Sequence, residues 1–326
     1  MGYKDSLESF QTIDLTEMRP KGFLSTILDR QKNNVRTIDN KHGWKERTKC
    51  PVCSSLEKKF EFKKFNFNLY QCLLCGTAFF DRVPIHTNDI YSAPHALNDA
   101  RKGYLSNKNY RQIRFAEERI SLIEKNVNKK IEDIRLLDVG CGTGWFLEIA
   151  KEKGVKCHGL ELGEDLASFT SERLNIPIWN QQLSDLHTDE KFDVITMFDL
   201  IEHVEDPLNL VNAAKSLLNK DGILVIFTPH YDSVAIQVMK SESNLIMPAE
   251  HLSYFTEQSI YRLAELTGME VSYFATKGID LGDLKSYYEY NQQLNLSETC
   301  EALYDVLQPI IDQSKSGNHL RAILRV

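Results

Sequence analysis

The stretch Leu137-Asp138-Val139-Gly140-Cys141-Gly142-Thr143-Gly144 decides the fold. It closes the run Ile134-Arg135-Leu136-Leu137-Asp138-Val139, which has the length and apolar content of a buried parallel strand. The three alternate glycines then remove side chains where the backbone must turn sharply, so a ligand can approach the main chain. Behind them, Trp145 to Lys153 places Phe146, Leu147, Ile149 and Ala150 at the spacing of a helix packed on a sheet, and Lys156 to Leu160 supplies the next strand. Glu161 lands at that strand's carboxyl end, twenty-one positions after Gly140. A carboxylate there can accept two hydrogen bonds from a ribose diol, which predicts a ribose-containing cofactor.

A dinucleotide-binding turn wants G-x-G-x-x-G with amides facing a pyrophosphate. Here the third glycine comes one residue early, and the charge of Asp138 would repel a phosphate and favour a cation. With G-C-G-T-G after a strand ending in an acidic residue, the chain resembles the class I S-adenosylmethionine-dependent methyltransferases, whose cofactor carries a sulfonium and an ammonium group and no phosphate. The resemblance runs from about Ile134 to Met269. Phe192-Asp193-Val194-Ile195-Thr196-Met197-Phe198 looks like the family's fourth strand, Leu200-Ile201-Glu202-His203-Val204-Glu205-Asp206-Pro207 like the segment after it, and Asp221-Gly222-Ile223-Leu224-Val225-Ile226-Phe227 like the turn and fifth strand.

Upstream stand Cys50-Pro51-Val52-Cys53 and, after eighteen intervening residues, Cys72-Leu73-Leu74-Cys75. Two such knuckles suit a tetrahedral site of four thiolates, with zinc the expected occupant in a structural, closed site. Lys59 to Phe67 and Asn68 to Gln71 alternate as a hairpin would, which makes the segment a zinc ribbon. Phe60, Phe62, Phe65, Phe67, Tyr70, Phe79 and Phe80 are read as packing around the knuckles. A disulfide pair is the alternative, and it belongs to secreted chains.

No run of eighteen apolar residues occurs and the first residues lack a secretory core, so a cytoplasmic protein without membrane insertion is expected. The net charge of -7 divides unevenly: residues 1–130 hold 24 Lys plus Arg against 15 Asp plus Glu, and residues 131–326 hold 15 against 31. A basic amino-terminal part beside an acidic cofactor domain could present a positive wall to an anionic substrate. The acidic total argues against tight, nonspecific nucleic-acid binding.

The expected organisation is an N-terminal extension over 1–45 with a short helical stretch near Leu24 to Ile27, the ribbon over 46–83, a connector over 84–109, and the methyltransferase domain over 110–326 with a helical insertion at about 278–318. Tyr110 to Val127 reads as an amphipathic helix. The later elements alternate helix and strand, which implies an α/β fold: a Rossmann-like, doubly wound, mostly parallel seven-stranded sheet whose last strand, His319 to Val326, runs antiparallel.

By the resemblance, Asp138, Gly140, Gly142 and Gly144 line the amino-acid end of the cofactor, with Cys141 a small filler in the same loop. Glu161 binds its ribose, Leu162 covers the adenine, Gln182 meets the adenine amino group, and Phe198, Asp199 and Leu200 stand beside the methionine moiety. His203 and His251 are candidate bases and Tyr254 a candidate acceptor contact, because imidazole titrates near neutral pH and can take a hydroxyl proton. The resemblance implies an O-methyltransferase with a small, polar, anionic or sugar-bearing acceptor such as a nucleotide sugar. Two other functions fit the same residues: an RNA methyltransferase docking through the ribbon and its Lys63-Lys64, and a non-catalytic scaffold that keeps the cofactor fold.

Overall fold

The computed structural model describes residues 15–41, 43–85 and 115–326. The connector beyond residue 85 and the first residues of the helix expected from Tyr110 lie outside them. After a one-turn helix α1 (Leu15–Met18), α2 runs Phe23–Lys41. It is far longer than the stretch expected near Leu24, because its buried positions Leu24, Leu28, Gln31, Val35 and Ile38 form a narrow stripe that polar residues interrupt in the sequence. Then come β1 (Trp44–Glu46), β2 (Lys58–Lys64), β3 (Phe67–Cys72), β4 (Ala78–Phe80) and β5 (Arg82–Pro84). The hairpin turns at Phe65 and Asn66, with Phe65 left-handed at φ 52°, so β2 ends earlier and β3 begins earlier than the alternation suggests.

The second part comprises α3 (Glu117–Asn126), β6 (Arg135–Val139), α4 (Trp145–Glu152), β7 (Lys156–Leu160), α5 (Glu164–Leu174), β8 (Ile178–Trp179), β9 (Phe192–Phe198), α6 (Pro207–Leu217), β10 (Leu218–Pro229), α7 (Val234–Met239), β11 (Ser253–Tyr254), α8 (Glu257–Thr267), β12 (Glu270–Thr276), α9 (Asp280–Tyr290), α10 (Leu294–Ala302), α11 (Tyr304–Gln313) and β13 (His319–Arg325). Seven of these strands form one sheet in the order β12-β13-β10-β9-β6-β7-β8, and only β13 runs against the others. The sheet is buried on both faces. In β10, Leu224 and Ile226 pack on one side with α6 and α8, while Ile223, Val225 and Phe227 pack on the other with α3 and α4. That alternation is what a doubly covered sheet requires. No described helix is long and apolar enough to cross a membrane.

The ribbon has no core of its own. Its sheet runs β11-β4-β3-β2, and its last strand, β11, is supplied by the loop after β10, with Ser253 opposite Phe79 and Tyr254 opposite Ala78. Cys50, Val52, Cys72, Cys75 and Phe79 join the apolar cluster of α6 and α8, whereas Phe67, Leu69 and Phe80 pack with Tyr231, Ile246, Tyr254 and α2. Phe60 stays exposed. Lys64 is buried and donates to the Ser243 carbonyl at 2.9 Å, so it is not available as a docking cation.

Candidate active site

Three glycines set the loop after β6. Gly140, Gly142 and Gly144 all have positive φ, at 74°, 54° and 71°. A methyl group added at Gly144 would lie 2.6 Å from Thr170 and 2.7 Å from Leu174, so α5 packs against bare backbone there; one added at Gly142 would meet nothing within 4 Å. The amides of Gly140 and Cys141 are tied to the Leu160 carbonyl. Glu161 joins the loop from the other side, accepting from Gly142 N at 3.0 Å and Gly163 N at 2.9 Å. Burial pushes its carboxyl above the usual range, against the pull of those amides. The Asn180 amide donates to the carbonyls of Glu161 and Leu162 and fixes this corner.

Above the loop opens a cavity of about 670 Å³, lined by Gly140, Glu161, Leu162, Gln182, Asp199, Leu200 and His203, with Ile85 contributed from the end of the ribbon. Six of the residues expected at the cofactor therefore share one wall. Asp138, Cys141, Gly142, Gly144 and Phe198 stand behind it. Asp138 is buried, accepts from Thr196 Oγ1 at 2.6 Å, and is pushed up to about 7, chiefly by burial. Cys141 Sγ occupies the space over Gly159. The Glu161 carboxylate, held in place by two amides, the apolar Leu162 and the glycine-floored space fit a ribose, an adenine and an amino-acid tail.

Asp199, left-handed at φ 54°, lines this cavity and also a second of about 230 Å³. The second is bounded by Arg19, Glu118, Arg119, Trp145, Lys277, His319 and Arg321. Arg119 lies over the rings of Trp145 and Phe198, at 4.5 and 4.0 Å, and 3.4 Å from Asp199. Burial brings its guanidinium down to about 10, so it keeps its charge. Neither Arg119 nor His319 was suggested by sequence pattern, because each reaches Asp199 only through tertiary structure, Arg119 from α3 over the sheet and His319 from β13, which β10 separates from β9.

The candidate bases meet beside the first cavity. His203 ends a short helical turn after β9, and His251 comes from the loop before β11; their rings lie edge to face at 4.8 Å. Each holds a main-chain carbonyl through Nδ1: Glu250 at 2.9 Å for His203 and Leu245 at 2.8 Å for His251. Burial lowers both imidazoles below their ordinary range, which leaves them neutral at neutral pH. Glu202, fully buried, lies beside them and accepts from Thr228 Oγ1 at 2.8 Å. Sequence reading passed over it; its place between two apolar residues and a histidine was the available signal. Tyr254 borders neither cavity. Its hydroxyl accepts from Met247 N at 2.9 Å, inside the wall that β11 builds.

The loop carrying His251 is held from the N-terminal side. Arg47 donates to the Leu252 carbonyl at 2.7 Å, Gln31 to Asn244 O at 3.0 Å, and Asn34 to Glu250 Oε1 at 2.8 Å. Thr256 caps α8 in a capping box with Ser259.

At the ribbon, the sulfurs of Cys50, Cys53, Cys72 and Cys75 all lie within 4.8 Å of one another, with Cys50 to Cys75 at 3.4 Å and Cys53 to Cys72 at 3.5 Å. Tetrahedral zinc with sulfur at about 2.3 Å needs sulfurs nearly 4 Å apart, so this donor set fits.

Comparison with known proteins gives the same assignment. A family model described as a methyltransferase domain matches residues 109–273, just over half of the chain. The ubiquinone biosynthesis O-methyltransferase of Leptothrix cholodnii is 25% identical over 184 residues, covering 52% of this chain and 77% of that protein. That of Haemophilus ducreyi is 30% identical over 129 residues, covering 36% and 52%. Among solved structures, the plantazolicin methyltransferase BpumL in complex with SAH superposes with a TM-score of 0.50 at 18% identity, covering 73% of this chain and 93% of its own. A possible histamine N-methyltransferase from Thermotoga maritima gives 0.50 at 16%, covering 74% and 99%. At such identities these two show a shared fold. The chain belongs to this methyltransferase domain family and is an S-adenosylmethionine-dependent methyltransferase.

Proposed function

We propose that the protein methylates a hydroxyl of a small, polar, anionic acceptor of carbohydrate type, and that its four cysteines hold a structural zinc. The observation that carries the acceptor is the second cavity. Arg19, Arg119, Lys277 and Arg321 surround it against Glu118 and Asp199, with the His319 imidazole, lowered by burial, beside them, and it meets the cofactor cavity at Asp199. A cationic wall of this kind suits a phosphate or sugar carboxylate that would anchor the acceptor while its hydroxyl reaches across. The curated relatives are O-methyltransferases by name, which supports oxygen as the acceptor atom.

The bound cofactor supplies an activated methyl group on sulfur, so the chain's own task is alignment and proton management. Glu161 and Gln182 hold the nucleoside end. Leu200 and Asp199 form the partition beside which the acceptor oxygen must stand. His203 gives this wall a neutral imidazole, and the buried flank of His251 and Glu202 excludes water behind it.

The test is methyl transfer from radiolabelled S-adenosylmethionine to a panel of nucleotide sugars and sugar acids by zinc-loaded protein. Label should enter a hydroxyl, and Arg321→Ala should raise the acceptor KM about tenfold with SAH affinity unchanged, the effect of one lost charge-assisted contact. Label entering RNA instead would replace the acceptor class. SAH binding without transfer to any acceptor would leave a scaffold.

A further inference from the structure

Among the described residues, four cations border the second cavity: Arg19, Arg119, Lys277 and Arg321. Arg119 and Arg321 direct Nη2 to carboxylates, those of Asp199 and Glu118. Arg19, just after α1, is held differently. Its Nε donates to Asp283 Oδ1 at 2.5 Å, its Nη1 donates to the Met18 carbonyl at 2.9 Å, and its guanidinium carbon lies 4.4 Å over the Phe23 ring. Nη2 has no partner among the described residues.

Asp283, in the first turn of α9, is 1% exposed and does not itself border the cavity. Its two oxygens hold two residues that do: Oδ1 takes Arg19, and Oδ2 takes Asn318 Nδ2 at 2.7 Å. Apolar contact already seats α1 on α9. A methyl group added at Gly282 would lie 2.8 Å from Leu15 Cδ2, and Leu15 packs with Ile279, Leu281 and Leu284. A buried ion pair adds little stability over an apolar pair of the same volume, because desolvation offsets its attraction. What it adds is direction: a planar fork locked at Nε and Nη1 offers its remaining N–H groups in one orientation.

The cavity, at about 230 Å³, is smaller than the roughly 300–1,000 Å³ of sites for drug-sized ligands, and Trp145, Phe227 and Ile279 give it apolar sides. It suits one ring carrying one charged group, and is too small for a whole nucleoside diphosphate. We infer that Arg19 is the specificity-determining cation of this cavity, with Asp283 its positioning residue, and that the pair selects a hydroxylated monocarboxylate of single-ring size, such as a hexuronate. This deepens the hydroxyl-methylation reading and rests on it for the reaction. The carboxylate binds Arg19, and a ring hydroxyl faces Asp199, where the two cavities meet.

The experiment titrates full-length, zinc-loaded, SAH-saturated protein with D-glucuronate by calorimetry, with D-glucose as the uncharged control. Glucuronate should bind and glucose should not. Arg19→Gln and Asp283→Asn should each weaken glucuronate about tenfold, the effect of one charge-assisted contact, and the double variant should lose no more than either alone. The double variant leaves neither member of the buried pair charged, so it carries the test if a single variant does not fold. Glucuronate affinity unchanged in Arg19→Gln or in the double variant would overturn the inference. Losses that add in the double variant would make Asp283 merely structural and overturn its positioning role. Failure of folded, SAH-binding wild type to take glucuronate would overturn the inference even if a nucleotide sugar were methylated, and the hydroxyl reading would then stand without it. Glucuronate bound as expected but never methylated in the presence of S-adenosylmethionine would instead strike the reaction and keep the site.

Discussion

The two walls of the cleft are built in different ways. The cofactor wall comes from short consecutive segments at strand ends, Gly140 to Gly144 after β6 and Glu161 to Gly163 after β7, tied to one another by main-chain amides. The wall that carries His203 and His251 is assembled from residues far apart. Leu252 sits between Glu202, to which its amide donates, and Arg47, which donates to its carbonyl, while β11 completes the ribbon's sheet against β4. A local wall survives loss of distant partners; a composite wall does not. The ribbon, which by sequence reads as an appended module, is structurally part of the wall that carries His203 and His251.

That contrast predicts its largest effect at the cysteines. Cys75→Ala should abolish stoichiometric zinc and lower the Tm by about 10 °C or more, because metal-binding energy is folding energy and the sulfur lies in the shared apolar cluster. Hydrogen exchange should rise first over 245–256, with SAH still bound. Uniform exchange over β6 and β7 as well would erase the distinction between the walls.

On the other wall, Glu161→Ala should weaken SAH about 100-fold by calorimetry, as expected for losing two charge-assisted hydrogen bonds, with Tm within a few degrees of wild type. An unchanged affinity would remove Glu161 from the cofactor site.

The glycine loop offers a graded test. Gly144→Ala should cost about 2–3 kcal/mol in chemical denaturation, since it combines a left-handed backbone with a clash on Thr170 and Leu174, whereas Gly142→Ala, strained but uncrowded, should cost about 1 kcal/mol. Equal costs would mean that the close approach of α5 is unimportant.

The smallest effect concerns pH. Asp138 has its folded carboxyl raised from 3.8 to about 7 by burial, so its contribution to stability is fully present below pH 3.8 and is lost as pH rises through about 7. Asp138→Asn should therefore flatten the decline in stability across that window, measured by thermal unfolding at stepped pH. Bound S-adenosylmethionine, which is cationic, should flatten it in wild type also; a slope that neither change alters would place its origin elsewhere.

Much of this was legible before any coordinates. The strand ending at Val139, the glycines and Glu161 gave the sheet and one corner of the larger cavity, and Phe192–Phe198 is β9 to the residue. The paired knuckles gave the four-sulfur cluster. By contrast, α2 was seen only in its first turn, and Cys300 to Ile311 proved to be parts of two helices, α10 and α11. Their apolar stripes are narrow and interrupted, so their helical period emerges only once partners cover them.

The chain by itself determined what depends on neighbours in sequence: glycines where φ must be positive, a carboxylate at a strand end, sulfurs in tight knuckles, and period-two burial in strands covered on both faces. Tertiary structure alone decided that His203 and His251, 48 positions apart, face each other beside Glu202, that Lys64 is buried, and that Arg119 and His319 converge on Asp199. The physical reason is that local conformation is written in backbone sterics and periodicity. A side chain's protonation, orientation and role depend on what is packed against it, and those partners come from segments whose spacing in the sequence carries no trace of their proximity.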